Sequence, residues 1–147
     1  MLFFIKFIFI KFQNSKCYKY ELYVLLLYSL KTLNLSNLNT QKVRNMREMF
    51  SDCKSLTNLD LSNFNTQNAT DMHAMFYNCN SLINLNLSNF NTQNVINMNS
   101  MLLNCKSLTN LNLSNFNTQK VRNMNSMLSV CFNCNSLIKK NIFTKDI

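Results

Sequence analysis

Six cysteines are the residues of this chain best suited to chemistry. Four of them, Cys53, Cys79, Cys105 and Cys131, stand 26 residues apart. If that spacing reflects stacked turns of chain, they form one column with neighbouring Cα atoms about 4.8 Å apart. The distance is within disulfide reach, but side chains in such a column run parallel, which suits the bridge poorly. Buried free thiols packing as small hydrophobes are therefore expected. Cys131 and Cys134 form the one C-x-x-C motif. A zinc site needs further ligands, and the single histidine, His73, lies two repeats away. A thioredoxin-like role would need a βαβ context that the sequence lacks.

His73 offers no better start for catalysis. The equivalent positions in the other units hold Arg47, Asn99 and Asn125, a mixture that reads as a solvent-facing column. Acid–base catalysis needs positioned groups with shifted pKa values, and none recurs here. The chain has no Gly and no Pro, so no Gly-rich phosphate loop exists. Asn34, Asn68, Asn86 and Asn112 open N-x-S/T tripeptides, but most arise because Leu-Ser follows Asn in the repeat. The expectation is a protein without catalytic residues, metal or cofactor.

What positions all these residues is the repeat, the first thing to look for in a chain. SLKTLNLSNLNTQKVRNMREMFSDCK at 29–54 becomes SLTNLDLSNFNTQNATDMHAMFYNCN at 55–80. SLINLNLSNFNTQNVINMNSMLLNCK follows at 81–106, and SLTNLNLSNFNTQKVRNMNSML opens the next unit at Ser107. The first half of each unit has leucines at period two, as Leu59 and Leu61, which suits a short strand with leucines inward. The second half spaces Val95, Met98, Met101 and Leu102 by threes and fours, which suits a turn of helix or an irregular arc. One unit cannot bury these side chains alone; stacking places Leu on Leu and Met on Met. The expected fold is a repeat solenoid, leucine-rich-repeat-like, with one short strand plus a helical or irregular arc per 26-residue coil. Without Gly and Pro, turns fall to Asn, Ser and Asp, and Asn tolerates left-handed backbone better than most residues. Asn37, Asn63, Asn89 and Asn115 share one phase, and Thr40, Thr66, Thr92 and Thr118 another; both columns are expected to satisfy backbone groups at bends.

Two surfaces follow from this frame. Strand residues between the leucines face outward, giving a polar strip of Asn34, Asn58, Asp60, Asn84, Asn86, Asn110 and Asn112, the candidate binding residues. Solenoids bind partners on such extended faces, and a protein or glycan is the expected ligand. A basic cluster stands apart: Lys42, Arg44 and Arg47 in one unit, Lys120 and Arg122 three units later. The formal net charge is +9 with charged residues at 14%, which permits contact with acidic polymers. Asn68, Thr70, Asn94 and Ile96 interrupt the basic line, and no aromatics interleave with it, which argues against nucleic-acid readout.

The repeat divides the 147 residues into residues 1–28, four units over 29–135, and 136–147. Phe4, Phe7, Phe9 and Phe12 repeat the spacing of Leu30, Leu33, Leu35 and Leu38, so 1–28 reads as a degenerate first coil capping the stack. The alternative is an export segment or contact of the N-terminus with a membrane surface. Lys6 and Lys11 interrupt the apolar run, no small-residue cleavage site follows, and the run is too short to span a bilayer. At the other end three extra residues precede Ser136 and Lys140 replaces an inward leucine, so 136–147 reads as a truncated repeat or cap.

The unit C-x-x-L-x-x-L-x-L-S-N-F-x-T-x-x-V-x-x-M-x-x-M-F-x-x-C resembles the BspA-like leucine-rich repeat surface proteins, over residues 29–135. The resemblance implies display at the cell surface or outside the cell, adhesion to host or matrix proteins, and no catalysis. The chain departs from that family in showing no clear signal peptide, lipobox or surface anchor. Two alternatives stand beside an adhesion module: an intracellular basic scaffold on an anionic polymer, and a fragment of a longer repeat protein.

Overall fold

The computed structural model describes residues 10–11, 21–22 and 31–129, apart from 34, 36 and 37. Within 31–129 the chain forms one open sheet of four two-residue parallel strands: β3 (Thr32–Leu33), β4 (Asn58–Leu59), β5 (Asn84–Leu85) and β6 (Asn110–Leu111). They pair in sequence order, each residue with the one 26 further on, such as Asn58 with Asn84 and Leu59 with Leu85. A second line of parallel bridges joins Asn45, Asp71, Asn97 and Asn123. The arrangement is compatible with a solenoid-like stack whose step is the sequence repeat.

The leucines and methionines fill its interior. Leu56, Leu82 and Leu108 lie in one buried column, and Met46, Met72 and Met98 in another. Phe50 and Phe76 stack with centroids 5.5 Å apart, and Phe50 meets Phe64 at 6.0 Å. Fully burying one such side chain is worth about 1.5–3 kcal/mol, and every one of them needs the adjacent unit for its cover.

The arc opposite the strands is not helical; no helix occurs among the described residues. A helix would send each N–H to the carbonyl four residues back. Here every second N–H leaves the unit instead. Met72, Ala74, Phe76 and Asn78 donate to Asn97, Asn99, Met101 and Leu103 at 2.9 Å. The N–H groups between them close tight turns, as Met75 to Met72 and Tyr77 to Ala74. The spacing by threes and fours is thus met by turns that lean on the next unit.

Those turns need left-handed backbone. Asp52, Asn78 and Asn104 adopt φ of 59°, 59° and 65°, as expected of residue types that tolerate this region. Glu48, Ala74, Ser100 and Ser126 do so too, at 51–55°. In a chain without Gly, an Ala at such a position carries a steric cost of about 1–2 kcal/mol, held in place by its bond to Asn99.

Outside the stack, β1 (Ile10–Lys11) pairs antiparallel with β2 (Glu21–Leu22). All other pairing among the described residues is parallel at 26 residues. The remainder of 1–28, and all of 136–147, lie outside the described residues, and so do Cys131 and Cys134.

Candidate binding surface

The outward strip forms as the alternation requires. Asn58, Asp60, Asn84, Asn86 and Asn112 are exposed, each beside a buried leucine. Asn34 falls outside the described residues; the backbone of Asn110 pairs in β6. The second position of the strip also has a local duty. Asp60, Asn86 and Asn112 each accept, through Oδ1, the N–H of the serine two residues on, at 2.9, 3.0 and 2.9 Å. These Asx turns end the strand. At Asp60 the Ser62 backbone N–H, helped by the Ser62 hydroxyl, holds the carboxyl below its usual range.

The two columns expected to satisfy bends do so differently. Thr40, Thr66 and Thr92 are buried. Each hydroxyl donates to an Asn carbonyl of the next unit and accepts that same residue's N–H, as Thr66 with Asn91 at 3.0 and 2.8 Å. The amide of Asn89 donates to Leu61, Ser62 and Phe64 carbonyls, and that of Asn115 to Leu87, Ser88 and Phe90. These asparagines are exposed rather than buried, because they clamp the turn from its outer side.

The basic residues do not gather at one point. Lys42, Arg44, Arg47, Lys120 and Arg122 are all exposed. Arg47 reaches Glu48 at 3.4 Å, and Lys120 Nζ donates to Asn94 Oδ1 at 2.9 Å. Surface pairs of this kind contribute little stability. His73, read as solvent-facing, is instead half-buried, with Nε2 4.0 Å from Glu48 Oε1. The left-handed turn at Glu48 brings that carboxylate over the neighbouring unit.

Cys53, Cys79 and Cys105 are thiols outside any disulfide and are fully buried. Cys79 Sγ donates to Phe50 O at 3.1 Å and Cys105 Sγ to Phe76 O at 3.2 Å. Burial, and then the neighbouring thiols, push the Cys79 thiol far above its ordinary range; burial pushes Cys105 up to about 12. Such thiols are poor nucleophiles and poor metal ligands. No group of three His, Cys, Asp or Glu side chains placed to hold a metal occurs among the described residues.

One polar column escaped the sequence reading. Asn78 Nδ2 donates to Asp52 Oδ1 at 2.9 Å, and Asn104 Nδ2 to Asn78 Oδ1 at 2.8 Å. These are also left-handed residues, so one column both turns the chain and ties the units. The signal was present as the D-C, N-C and N-C pairs ahead of each stacked cysteine.

A parallel stack at constant register, with bonded polar columns on its outside and a Leu, Met and Cys interior, defines a repeat protein. Its family is the one described as "Mycoplasma protein of unknown function, DUF285", which matches residues 25–141; the chain belongs to it. No curated protein and no solved structure matches the chain.

Proposed function

We propose that the chain is a non-catalytic interaction module, a leucine-rich-repeat-like solenoid that binds a protein or glycan through its strand face. In this reading it is displayed on or outside the cell, as in the BspA-like surface proteins that its repeat resembles. The observation that carries it is the strip itself: Asn58 and Asn84, then Asp60, Asn86 and Asn112, repeat in exposed columns at a constant 26-residue register. Asx turns fix the second column before any ligand arrives, and preorganised groups lose less entropy on binding. The test is capture of the purified chain on immobilised matrix proteins and glycans, with proteolysis of intact cells to locate it. Replacing Asn58 and Asn84 together, and leaving the turn-closing Asp60 and Asn86 in place, should abolish capture while circular dichroism stays unchanged. Capture that persists in this variant would remove the strand face as the binding site.

A second reading is favoured by the exposed Lys42, Arg44, Lys120 and Arg122: contact with an anionic polymer. It predicts affinity that falls steeply with salt.

A further inference from the structure

The corner after each strand turn carries Asn-Thr-Gln in every unit, and its three positions have different duties. The threonine is the buried tie between units. The asparagine uses its Oδ1 on the glutamine's backbone N–H, as Asn65 to Gln67 at 3.0 Å and Asn91 to Gln93 at 3.1 Å. At three of the four positions the glutamine side chain has no such work. At 41, 67 and 93 it is exposed and makes no bond among the described residues.

Other exposed columns beyond this corner have drifted apart. Three residues past the glutamine stand Arg44, Thr70, Ile96 and Arg122; the column of His73 is equally mixed. An exposed side chain with no internal bond, held constant while its neighbours change, points to a contact outside the molecule.

The flanking charges define what that contact is. Lys42 and Arg44 stand beside Gln41, and Lys120 and Arg122 beside Gln119, with uncharged residues between. Three steps at strand spacing separate the two basic pairs by roughly 14 Å. The line between them is held firmly. Asn68 Nδ2 donates to Gln41 O at 2.7 Å, Asn94 Nδ2 to Gln67 O at 3.1 Å, and Lys120 Nζ to Asn94 Oδ1 at 2.9 Å.

We infer that this corner is a binding line for an extended acidic polysaccharide, its anionic groups on the two basic pairs and its hydroxyls on the glutamine amides between them. The inference rests on the anionic-polymer reading and names its ligand class and site. Nucleic acid fits less well. Its strand carries a charge about every 3.4 Å, most of which would face the neutral middle of the line. The corner also has no aromatic side chain on which bases could stack.

The probe is hyaluronan oligosaccharides of graded length, titrated into the full chain by fluorescence anisotropy. Affinity should rise once the oligosaccharide is long enough to reach both basic pairs. Lys42→Ala with Arg44→Ala, and Lys120→Ala with Arg122→Ala, should each weaken binding about tenfold or more, the worth of a charge-assisted hydrogen bond, and flatten the salt dependence. Gln67→Ala with Gln93→Ala should weaken binding severalfold at an unchanged salt slope, since no charge is lost. All six side chains are exposed, so thermal melting should not move in any variant. Binding that ignores both oligosaccharide length and the glutamine pair overturns the line while leaving the anionic-polymer reading in place. Equal affinity for single-stranded DNA of the same charge overturns the polysaccharide assignment. Failure of every polyanion to bind overturns both.

Discussion

Thr66 shows how much one hydroxyl does in this stack. It donates a hydrogen bond to the carbonyl of Asn91 and accepts one from that residue's N–H, in a site about 1% exposed. Thr66→Val keeps the shape and removes both bonds. Each buried group left unpaired costs about 1–3 kcal/mol, so the urea midpoint should fall clearly at an unchanged denaturant slope. An unmoved midpoint would mean that water replaces the hydroxyl without loss. At this scale the sequence was partly legible. Phase alone singled out the threonine and asparagine columns, because an invariant polar residue in a repeat needs a bonding reason. What phase could not reveal is direction: that the threonine bonds forward into the next unit, while Asn89 clamps backward onto the previous one. Nor could it reveal that Asp60, exposed on the strand face, is tied to Ser62.

At the scale of the element, the strand and the arc were unequally readable. Leucines at period two announce a strand with one buried face, and β4 and β5 are that strand, cut to two residues by the Asx turn that follows. Spacing by threes and fours in the arc also fits helix, and hydrophobic periodicity cannot distinguish a helix from turns that place the same side chains inward. The deciding fact is that alternate N–H groups find partners in the next unit, which a single unit's sequence does not display. The arc also contains a steric conflict. Ala74 sits at φ 51°, where glycine is at ease. Ala74→Gly should therefore stabilise the protein, by about 0.5–1 kcal/mol after the added freedom of the unfolded chain is offset. A rise in melting temperature checks it; Ala74→Val should lower it.

For the whole molecule, the cysteine column links stability to pH. In the unfolded chain these thiols lose their protons near 9.0, whereas in the fold Cys105 holds its proton to about 12 and Cys79 beyond that. The folded pKa values are raised, so the stabilisation is complete below pH 9 and declines as pH rises toward 12, where the unfolded chain has released protons that the folded chain retains. Each such thiol contributes a slope of about 1.4 kcal/mol per pH unit in that window. Cys79→Ala should flatten the alkaline slope of the urea-derived stability by one thiol's share, whatever its effect at neutral pH. A slope equal to that of the parent chain would show that the column opens before it ionises.

The constant register has a consequence for the gene as well as for the protein. Among the described residues every bond that joins units spans 25 to 29 residues, as Ala74 to Asn99, Asn78 to Asp52 or Cys79 to Phe50. An unequal crossover that adds or drops one whole repeat leaves each donor facing the same kind of acceptor, and each leucine facing a leucine. The molecule can therefore change length in steps while its joints stay the same, so a binding face on its side would grow or shrink in proportion.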